Sequence, residues 1–130
     1  MKLLALDTST VACTVALEAG GEVASRHAEQ ARAHTRLLLP MIEELLAEAG
    51  IAAAGLDAVV LGNGPGSFIG LRIAASVAQG LCFAGGAALV PVSSLATVAL
   101  RAFAESDCER VLVAQDAHMN EVYLAGYARG

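Results

Sequence analysis

Residues 58–72 read AVVLGNGPGSFIGLR and join an apolar run, a glycine-rich corner and the start of a helical pattern. The run Ala58–Gly62 is short and has no polar side chain, which is typical of a buried strand. The corner Asn63–Gly66 turns the chain, and Ser67 is well placed to cap a helix that continues to about Phe83. This stretch therefore predicts a buried strand, a tight turn and a helix.

Strand and helix patterns also precede this unit. Strands are expected at 2–8, 11–18 and 22–28, in an antiparallel meander whose second turn is Gly20-Gly21. A helical period then runs from about Ala33 to Gly50, where glycine is a natural terminator. The predicted order before the corner is thus three strands and one helix.

After the corner helix, the Gly85-Gly86 break is followed by an expected strand at Ala88–Val92 and a helix beginning near Ser93 or Ser94. Two more strands, Arg110–Asp116 and Glu121–Tyr127, are expected as a hairpin. The whole order resembles the ribonuclease-H-like unit of the actin, hexokinase and Hsp70 superfamily. We therefore predict an α/β fold, with a ribonuclease-H-like lobe and mixed five-stranded sheet over 1–108. Residues 109–130 are expected to begin a second, truncated lobe.

Composition limits the classes of protein to which the chain can belong. Hydrophobic residues make up 56% and aromatic residues 4%, so the core must consist of aliphatic side chains. Apolar stretches are interrupted before the ~20 residues that cross a bilayer, which predicts a soluble chain without a membrane segment. Three widely spaced cysteines favour reduced thiols and the cytoplasm. The net charge is −5 and Lys2 is the only lysine, so no basic stripe is present to hold a nucleic-acid backbone.

An acid and two hydroxyl residues end the first predicted strand. In the superfamily just named, this arrangement directs a carboxylate and backbone N–H groups at phosphate and its metal, so Asp7, Thr8 and Ser9 are candidate anion-facing residues. An aspartate at a strand end also caps a turn, and that interpretation stays open. Ser9 stands where the superfamily loop carries glycine, which argues against close approach of a nucleotide phosphate.

The glycine corner is a second candidate anion site. Gly64, Pro65, Gly66 and Ser67 precede the helix, whose free N–H groups are suited to an anion. The corner lacks the Gly-Lys-Ser/Thr ending of a Walker A loop and the Gly-x-Gly-x-x-Gly of a dinucleotide loop. A tight strand-to-helix turn explains the same residues equally well.

The catalytic residues of a hydrolase do not come together in the sequence. His27, His34 and His118 are far apart and form no H-x-x-x-H pair, so no metal site is predicted. A two-metal nuclease would need a third carboxylate where the fourth strand ends in Gly62-Asn63. A protease would need a histidine base beside Ser67 or Cys82. We therefore predict no catalytic residue.

Five segments carry a resemblance to a known family. They are LALDTST at 4–10, HTRLLLPMI at 34–42, GPGSFIGLRI at 64–73, VSSL at 92–95 and DAHMNEVY at 116–123. In this order they resemble the signatures of the TsaB (YeaZ) family, which older labels call glycoprotease-like. Ile69 departs from the family's usual threonine, and Ala74 from a frequent glycine.

The resemblance implies a function in tRNA modification. TsaB proteins are non-catalytic scaffolds that bind the catalytic paralogue TsaD and work with the ATPase TsaE, transferring threonylcarbamoyl to adenosine 37 of tRNA. TsaD carries an HHMEGH-like segment with two metal-binding histidines where this chain has Val92–Thr97. No tightly bound cofactor is therefore expected here, and ATP and a divalent metal are expected on partner subunits. Contact with tRNA is expected only through the complex. The alternative is an actin-like ATPase or small-molecule kinase using Asp7 and the corner.

Two helices have more apolar surface than one sheet can cover. On a wheel of ~100° per residue, the apolar arc of the first helix spans ~200°, against the ~100° needed to cover a sheet. We predict a partner interface on the first helix and the corner helix, and a homodimer when no partner is present. The predicted interface residues are His34, Leu37, Leu38, Met41, Leu45, Arg72, Ala75, Ser76 and Gln79. Ile42 and Leu46 are expected to face the sheet. The alternative is that the third helix covers the surplus within the same lobe.

Overall fold

A computed structural model describes residues 1–30 and 33–130 of the chain. After an initial run of three strands, helices and strands alternate until a final hairpin of two strands, in the order that the sequence predicts. The elements are β1 Lys2–Asp7, β2 Ala12–Ala19, β3 Glu22–Glu29, α1 His34–Ala49, a 3-10 turn Ala53–Gly55, β4 Ala58–Gly62, α2 Phe68–Gly85, β5 Ala88–Val92, α3 Ser94–Glu105, β6 Arg110–His118 and β7 Glu121–Ala128.

The first five strands form one mixed sheet in the order β3-β2-β1-β4-β5. β1 pairs antiparallel with β2 and parallel with β4, and β4 pairs parallel with β5. Because β1 and β4 are parallel neighbours, the carboxyl end of β1 lies beside the carboxyl end of β4, where the glycine corner begins. The predicted ribonuclease-H-like α/β fold with a mixed five-stranded sheet is confirmed.

Helices α1 and α2 pack on one face of this sheet and enclose the main core. Alternate residues of β1 and β2, such as Leu4 and Val15, are fully buried beneath them. α1 ends where Gly50 takes a left-handed conformation, with φ of 66°, and its N–H bonds to Ala47 O. α2 begins where the Ser67 hydroxyl accepts a hydrogen bond from Gly70 N–H at 3.2 Å. Both predicted helix ends are therefore present.

Helix α3 packs on the hairpin formed by β6 and β7. Leu95 and Ala99 of α3 form a second core with Val113 of β6. Arg129, which follows β7, donates from Nη2 to Phe103 O at 2.9 Å and so holds the end of α3 against the hairpin. The alternative in which α3 covers the surplus apolar surface of α1 is wrong, because its buried residues face the hairpin. The sequence places this helix in the 1–108 lobe; its first residue, Ser94, bonds to Asp7 and Gly64 of that lobe, while its length packs on residues 109–130.

Helix α2 is long and apolar enough to cross a membrane, judged by length and composition alone. Core helices of soluble proteins meet the same criterion. In this fold one side of α2 packs on β4, and Ala74 and Ala78 on that side have no exposed surface. Only 17% of this helix is buried in the fold, so packing on the sheet accounts for the side with Ala74 and Ala78 and leaves other apolar residues of α2 exposed.

Cys13 is expected to react more slowly with an aromatic disulfide reagent than either of the other two thiols. Its side chain lies in the core beside Met41, whereas Cys82 and Cys108 are half-buried. Burial raises the pKa of the Cys13 thiol above its ordinary value, so the reactive thiolate is depleted. Because the folded state holds the thiol proton more tightly, the contribution of Cys13 to the free energy of unfolding is complete below the pKa of the thiol in the unfolded chain. That contribution is lost as the pH rises through the pKa of the thiol in the folded chain. Mass spectrometry of partly labelled folded chain measures the three rates, and equal rates would contradict the assignment.

Candidate functional site

The Asp7 carboxylate is committed to hydrogen bonds inside the fold. Its Oδ1 accepts from Ser9 N–H at 2.8 Å and from the Ser9 hydroxyl at 2.6 Å. Its Oδ2 accepts from the Ser94 hydroxyl at 2.9 Å, at the start of α3. The carboxylate thus links the end of β1 to α3. Of the two interpretations that the sequence left open, this geometry supports the structural one.

The Asp7–Ser9 loop and the glycine corner come together, but they pack directly on one another. Ser67 N–H donates to Ser9 O at 2.6 Å, and the Thr8 hydroxyl donates to Gly70 O at 2.6 Å. A Cβ at Gly66 or Gly70 would lie well inside 3.0 Å of the carbonyl oxygens of Ser9 and Thr8. No space for a phosphate group separates the two loops at these contacts.

Ser94 joins the corner to the rest of this network. Its N–H donates to Gly64 O at 2.8 Å, and its hydroxyl accepts from Gly64 N–H at 3.2 Å. Next to it, Pro65 O accepts from the Gln115 side chain at 3.4 Å. The sequence marked Ser94 only as a possible helix start, because no local signal pairs it with an acid 87 positions away.

Residues 1–30 and 33–130 contain no cluster of three or more His, Cys, Asp or Glu side chains that could hold a metal ion. The Ser67 hydroxyl caps α2, and Cys82 lies half-buried within it. His27 contacts the side chains of Thr14 and Glu29 on the outside of the sheet. Of these groups, Ser67 lies at the loops around the ends of β1 and β4, where its hydroxyl caps α2 and its N–H bonds to Ser9 O.

The predicted interface residues of α1 are mostly in the core. His34, Leu38, Met41 and Leu45 are buried, so their assignment to a partner surface was wrong. The reason is that α1 packs on the sheet and on α2 together, which buries an arc of ~140° rather than ~100°. Leu37 of α1 and Ala75 of α2 are half-buried against the same core. Arg72, Ser76 and Gln79 of α2 are exposed, as an interface would need.

Large apolar side chains are exposed next to these three polar residues. Phe83 has 94% of its surface exposed, Phe68 and Ile69 each have 69%, and Leu39 of α1 has 48%. The four share a continuous surface with the exposed positions of α2, which we call the α1–α2 face. It consists of Leu39, Phe68, Ile69, Arg72, Ser76, Gln79, Gly80 and Phe83.

A groove of about 570 Å³ lies along the α1–α2 face. Leu39 lines one wall, and Ser76, Gly80 and Ala84 line the other. Small side chains on α2 leave room for a helix to approach its backbone closely. The groove therefore fits an apolar helix better than a polar ligand.

Comparison with known proteins identifies the family. The family model described as TsaD, tRNA N6-adenosine threonylcarbamoyltransferase, matches residues 21–130. The tRNA threonylcarbamoyladenosine biosynthesis protein TsaB of Haemophilus influenzae is 46% identical over 129 residues, and that of Escherichia coli is 42% identical. The solved structure of YeaZ from Pseudomonas aeruginosa superposes with a TM-score of 0.94 at 49% identity over 99% of the chain. The chain belongs to the TsaB/YeaZ family.

These TsaB relatives are considerably longer than the chain. The match covers 99% of the chain but only 55% of the H. influenzae protein and 56% of the E. coli protein. It covers 61% of P. aeruginosa YeaZ. A second solved chain from P. aeruginosa, 49% identical, is described as similar to the peptidase YeaZ. The chain thus spans a little more than half the length of the TsaB proteins it matches.

Leu39, Phe68, Ile69, Gly80 and Phe83 are the residues of the α1–α2 face that sequence reasoning missed. Phe83 lies four positions after Gln79 and seven after Ser76, so a helical wheel places it beside both. That spacing was a usable signal. The exposure of Leu39 had no such signal, since its neighbours Leu37 and Leu38 are equally apolar in the sequence.

Proposed function

We propose that the chain is the docking part of a non-catalytic TsaB subunit, which binds a TsaD-like catalytic paralogue through the α1–α2 face. The complex then makes threonylcarbamoyladenosine at position 37 of tRNA. The printed names of the relatives support the process, and the exposed apolar α1–α2 face supports a docking role. The single observation on which the docking role rests is the row of exposed Phe68, Ile69 and Phe83 on one side of α2.

An exposed apolar row of this kind is costly to leave in water, and burial against a partner removes that cost. Phe83 and Leu39 are the anchors we assign to the interface, with Ser76 and Gly80 allowing close helix approach. A paralogue of the same family is the natural occupant, because its own first helices have an equivalent place in the fold. In the absence of that paralogue, a second copy of the chain uses the same face.

A non-enzymatic role is supported by the loops described above. The carboxylate of Asp7 and the hydroxyl of Ser67 both have hydrogen-bond partners within the fold, which supports a structural role for each. We assign ATP and a divalent metal to partner subunits, including a TsaE-like ATPase. The charge of −5 with one lysine favours tRNA contact through the complex rather than through this chain. A cytoplasmic location follows from that role.

Phe83→Glu is expected to weaken binding to the TsaD-like paralogue at least about 30-fold, because a carboxylate replaces an anchor side chain at a desolvated interface. The fold should be unaffected, since 94% of the Phe83 surface is exposed. Isothermal titration calorimetry measures the affinity, and circular dichroism melting checks the fold. Leu100→Glu on α3 is the matched control, because Leu100 is 66% exposed and lies off the face. Equal binding by both variants would contradict the proposed interface.

A further inference from the structure

The hairpin of β6 and β7 has two open edges. The two strands form a sheet of their own, so within residues 1–30 and 33–130 each has a hydrogen-bonded neighbour on one side only. The backbone N–H and C=O groups along an open edge are free to pair with another strand. Each edge is therefore a candidate site at which a further strand adds to the hairpin.

The edge of β6 lacks the features that protect the edges of the five-stranded sheet. At those edges, β3 carries charged side chains such as Glu29, and β5 is a strand of five residues that contains Pro91. Charge, proline and short length all discourage pairing with a further strand. β6 has nine residues, and those between Arg110 and Asp116 include no charge, proline or glycine. β7 contains Gly126, which weakens a strand, so β6 is the least protected of these edges.

The hydrogen-bond pattern of the hairpin decides which backbone groups of β6 point outward. Arg110 lies opposite Ala128 in the register, and Arg129 N–H donates to Glu109 O at 2.9 Å. Hydrogen-bonded and non-hydrogen-bonded pairs alternate along an antiparallel ladder, so the odd-numbered residues of β6 are the ones that bond to β7. The N–H and C=O groups of the even-numbered residues from Arg110 to Asp116 therefore point to the open edge.

β6 is complementary to a second copy of itself through these groups. When two β6 strands pair antiparallel with Val113 of each copy at the two-fold axis, Arg110 lies opposite Asp116 of the second copy. Leu112 lies opposite Ala114 in the same arrangement. This register joins opposite charges at both ends of the pairing, opposes no like charges, and uses the outward N–H and C=O groups of both strands.

The ion pair of this register is available in the single chain. The Arg110 and Asp116 side chains are both exposed on the hairpin face opposite α3. Asp116 Oδ1 accepts from His118 N–H at 2.8 Å, and Asp116 Oδ2 is 3.8 Å from His118 Nδ1, beyond hydrogen-bond distance. Oδ2 is therefore free to accept from the guanidinium of the second copy.

Apolar side chains on the same face add to the pairing. Leu112 of β6 has 69% of its surface exposed, and Leu124 and Val122 of β7 have 62% and 61%. Edge pairing places Leu112 of each copy against Ala114 of the other and removes part of this surface from water.

We propose that β6 is a self-association edge, which pairs antiparallel with β6 of a second copy of the chain and forms a four-stranded sheet. The edge belongs to the hairpin and is separate from the α1–α2 face, so the inference does not rest on the proposed function. Chains that use both surfaces form assemblies larger than a dimer.

The test is sedimentation equilibrium of the full chain carrying Phe83→Glu, which removes association through the α1–α2 face. A concentration-dependent dimer is expected, and amide hydrogen exchange at Leu112 and Ala114 should slow as the dimer forms. A monomer up to about 1 mM would overturn the proposal. The edge would then belong to a strand of another polypeptide, such as the part of the longer TsaB relatives that this chain does not span.

Leu112→Pro and Leu124→Pro, each added to Phe83→Glu, are a matched pair. Both replace an exposed leucine on the same face, and both remove an N–H that points away from the neighbouring strand of the hairpin. We expect both variants to stay folded by circular dichroism. Leu112→Pro should weaken the dimer at least about tenfold, and Leu124→Pro should leave its affinity unchanged. Equal dimer affinity in the two variants would overturn the assignment to β6.

Arg110→Asp tests the register without a change in the backbone. It opposes two carboxylates at each end of the pairing, so we expect dimer affinity to fall at least about tenfold. The double variant Arg110→Asp with Asp116→Arg exchanges the two charges and should restore the affinity. A merely structural role of either residue predicts no such rescue. Failure of the double variant to recover dimer affinity would overturn the proposed pairing.

Discussion

The Leu45→Glu variant is expected to be largely unfolded in the absence of denaturant. Leu45 has 1% of its surface exposed and packs in the core formed by α1, α2 and the sheet. Replacement by glutamate removes the burial of the leucine and places an unpaired carboxylate among aliphatic side chains. The combined cost of about 5 kcal/mol or more approaches the stability of a typical domain. Circular dichroism and urea melting measure the outcome.

Leu39→Glu is the matched control on the same helix. Leu39 is 48% exposed on the α1–α2 face, so its glutamate variant should keep native helicity and melt within about 1 kcal/mol of the parent. Its expected defect is in association with the partner. If Leu45→Glu remained folded and lost only association, the sequence-based assignment of Leu45 to the interface would be right and the packing described here wrong.

The order of elements was predictable because each one carries a local signal. Gly50 ends α1, Ser67 begins α2, and the apolar run of β4 has the bounds Ala58–Gly62 that the sequence predicts. The signals are turn glycines, capping hydroxyls and hydrophobic periodicity. Each acts within a few residues, so each can be recognised in a single sequence. The fold class then follows from the order of strands and helices.

The division of α1 between core and interface was not predictable in the same way. A helical wheel measures how much of a helix surface is apolar. It does not measure how many neighbouring strands and helices pack on that surface. α1 contacts β2, β3 and α2, and this wider set of neighbours buries Met41 as well as Ile42. Leu39 is the one large apolar side chain of α1 that remains exposed, where the sequence pattern had placed a broad stripe. Only the packing of α2 against α1 decides between these arrangements.

The role of Asp7 was undetermined in the sequence for a related reason. A strand-end aspartate followed by hydroxyl residues is compatible with a phosphate site and with a turn cap. The deciding partner is the Ser94 hydroxyl, which reaches Asp7 Oδ2 only when α3 starts beside the end of β1. Gly62 belongs to the same arrangement, since a Cβ there would overlap the Asp7 carboxylate. Long-range pairing of this kind leaves no trace in local pattern.

Gly70→Ala is expected to destabilise the chain by about 3 kcal/mol or more, although alanine is the better helix former. Gly70 lies in the first turn of α2, and its Cα faces the carbonyl oxygen of Thr8 at a distance that leaves no room for a Cβ. The obstacle is backbone, so no side-chain rotation relieves it. Either α2 moves away from the sheet or the hydrogen bond from the Thr8 hydroxyl to Gly70 O is lost.

Gly80→Ala supplies the control, because it makes the same substitution in the same helix with the opposite expected sign. A Cβ at Gly80 meets nothing within 4 Å, so alanine should stabilise α2 by roughly 0.5–1 kcal/mol through helix propensity alone. Urea denaturation of the two variants and the parent measures both changes. If Gly70→Ala were as stable as Gly80→Ala, the direct packing of the Asp7–Ser9 loop on the start of α2 would be wrong. A gap wide enough for a ligand would then have to separate them.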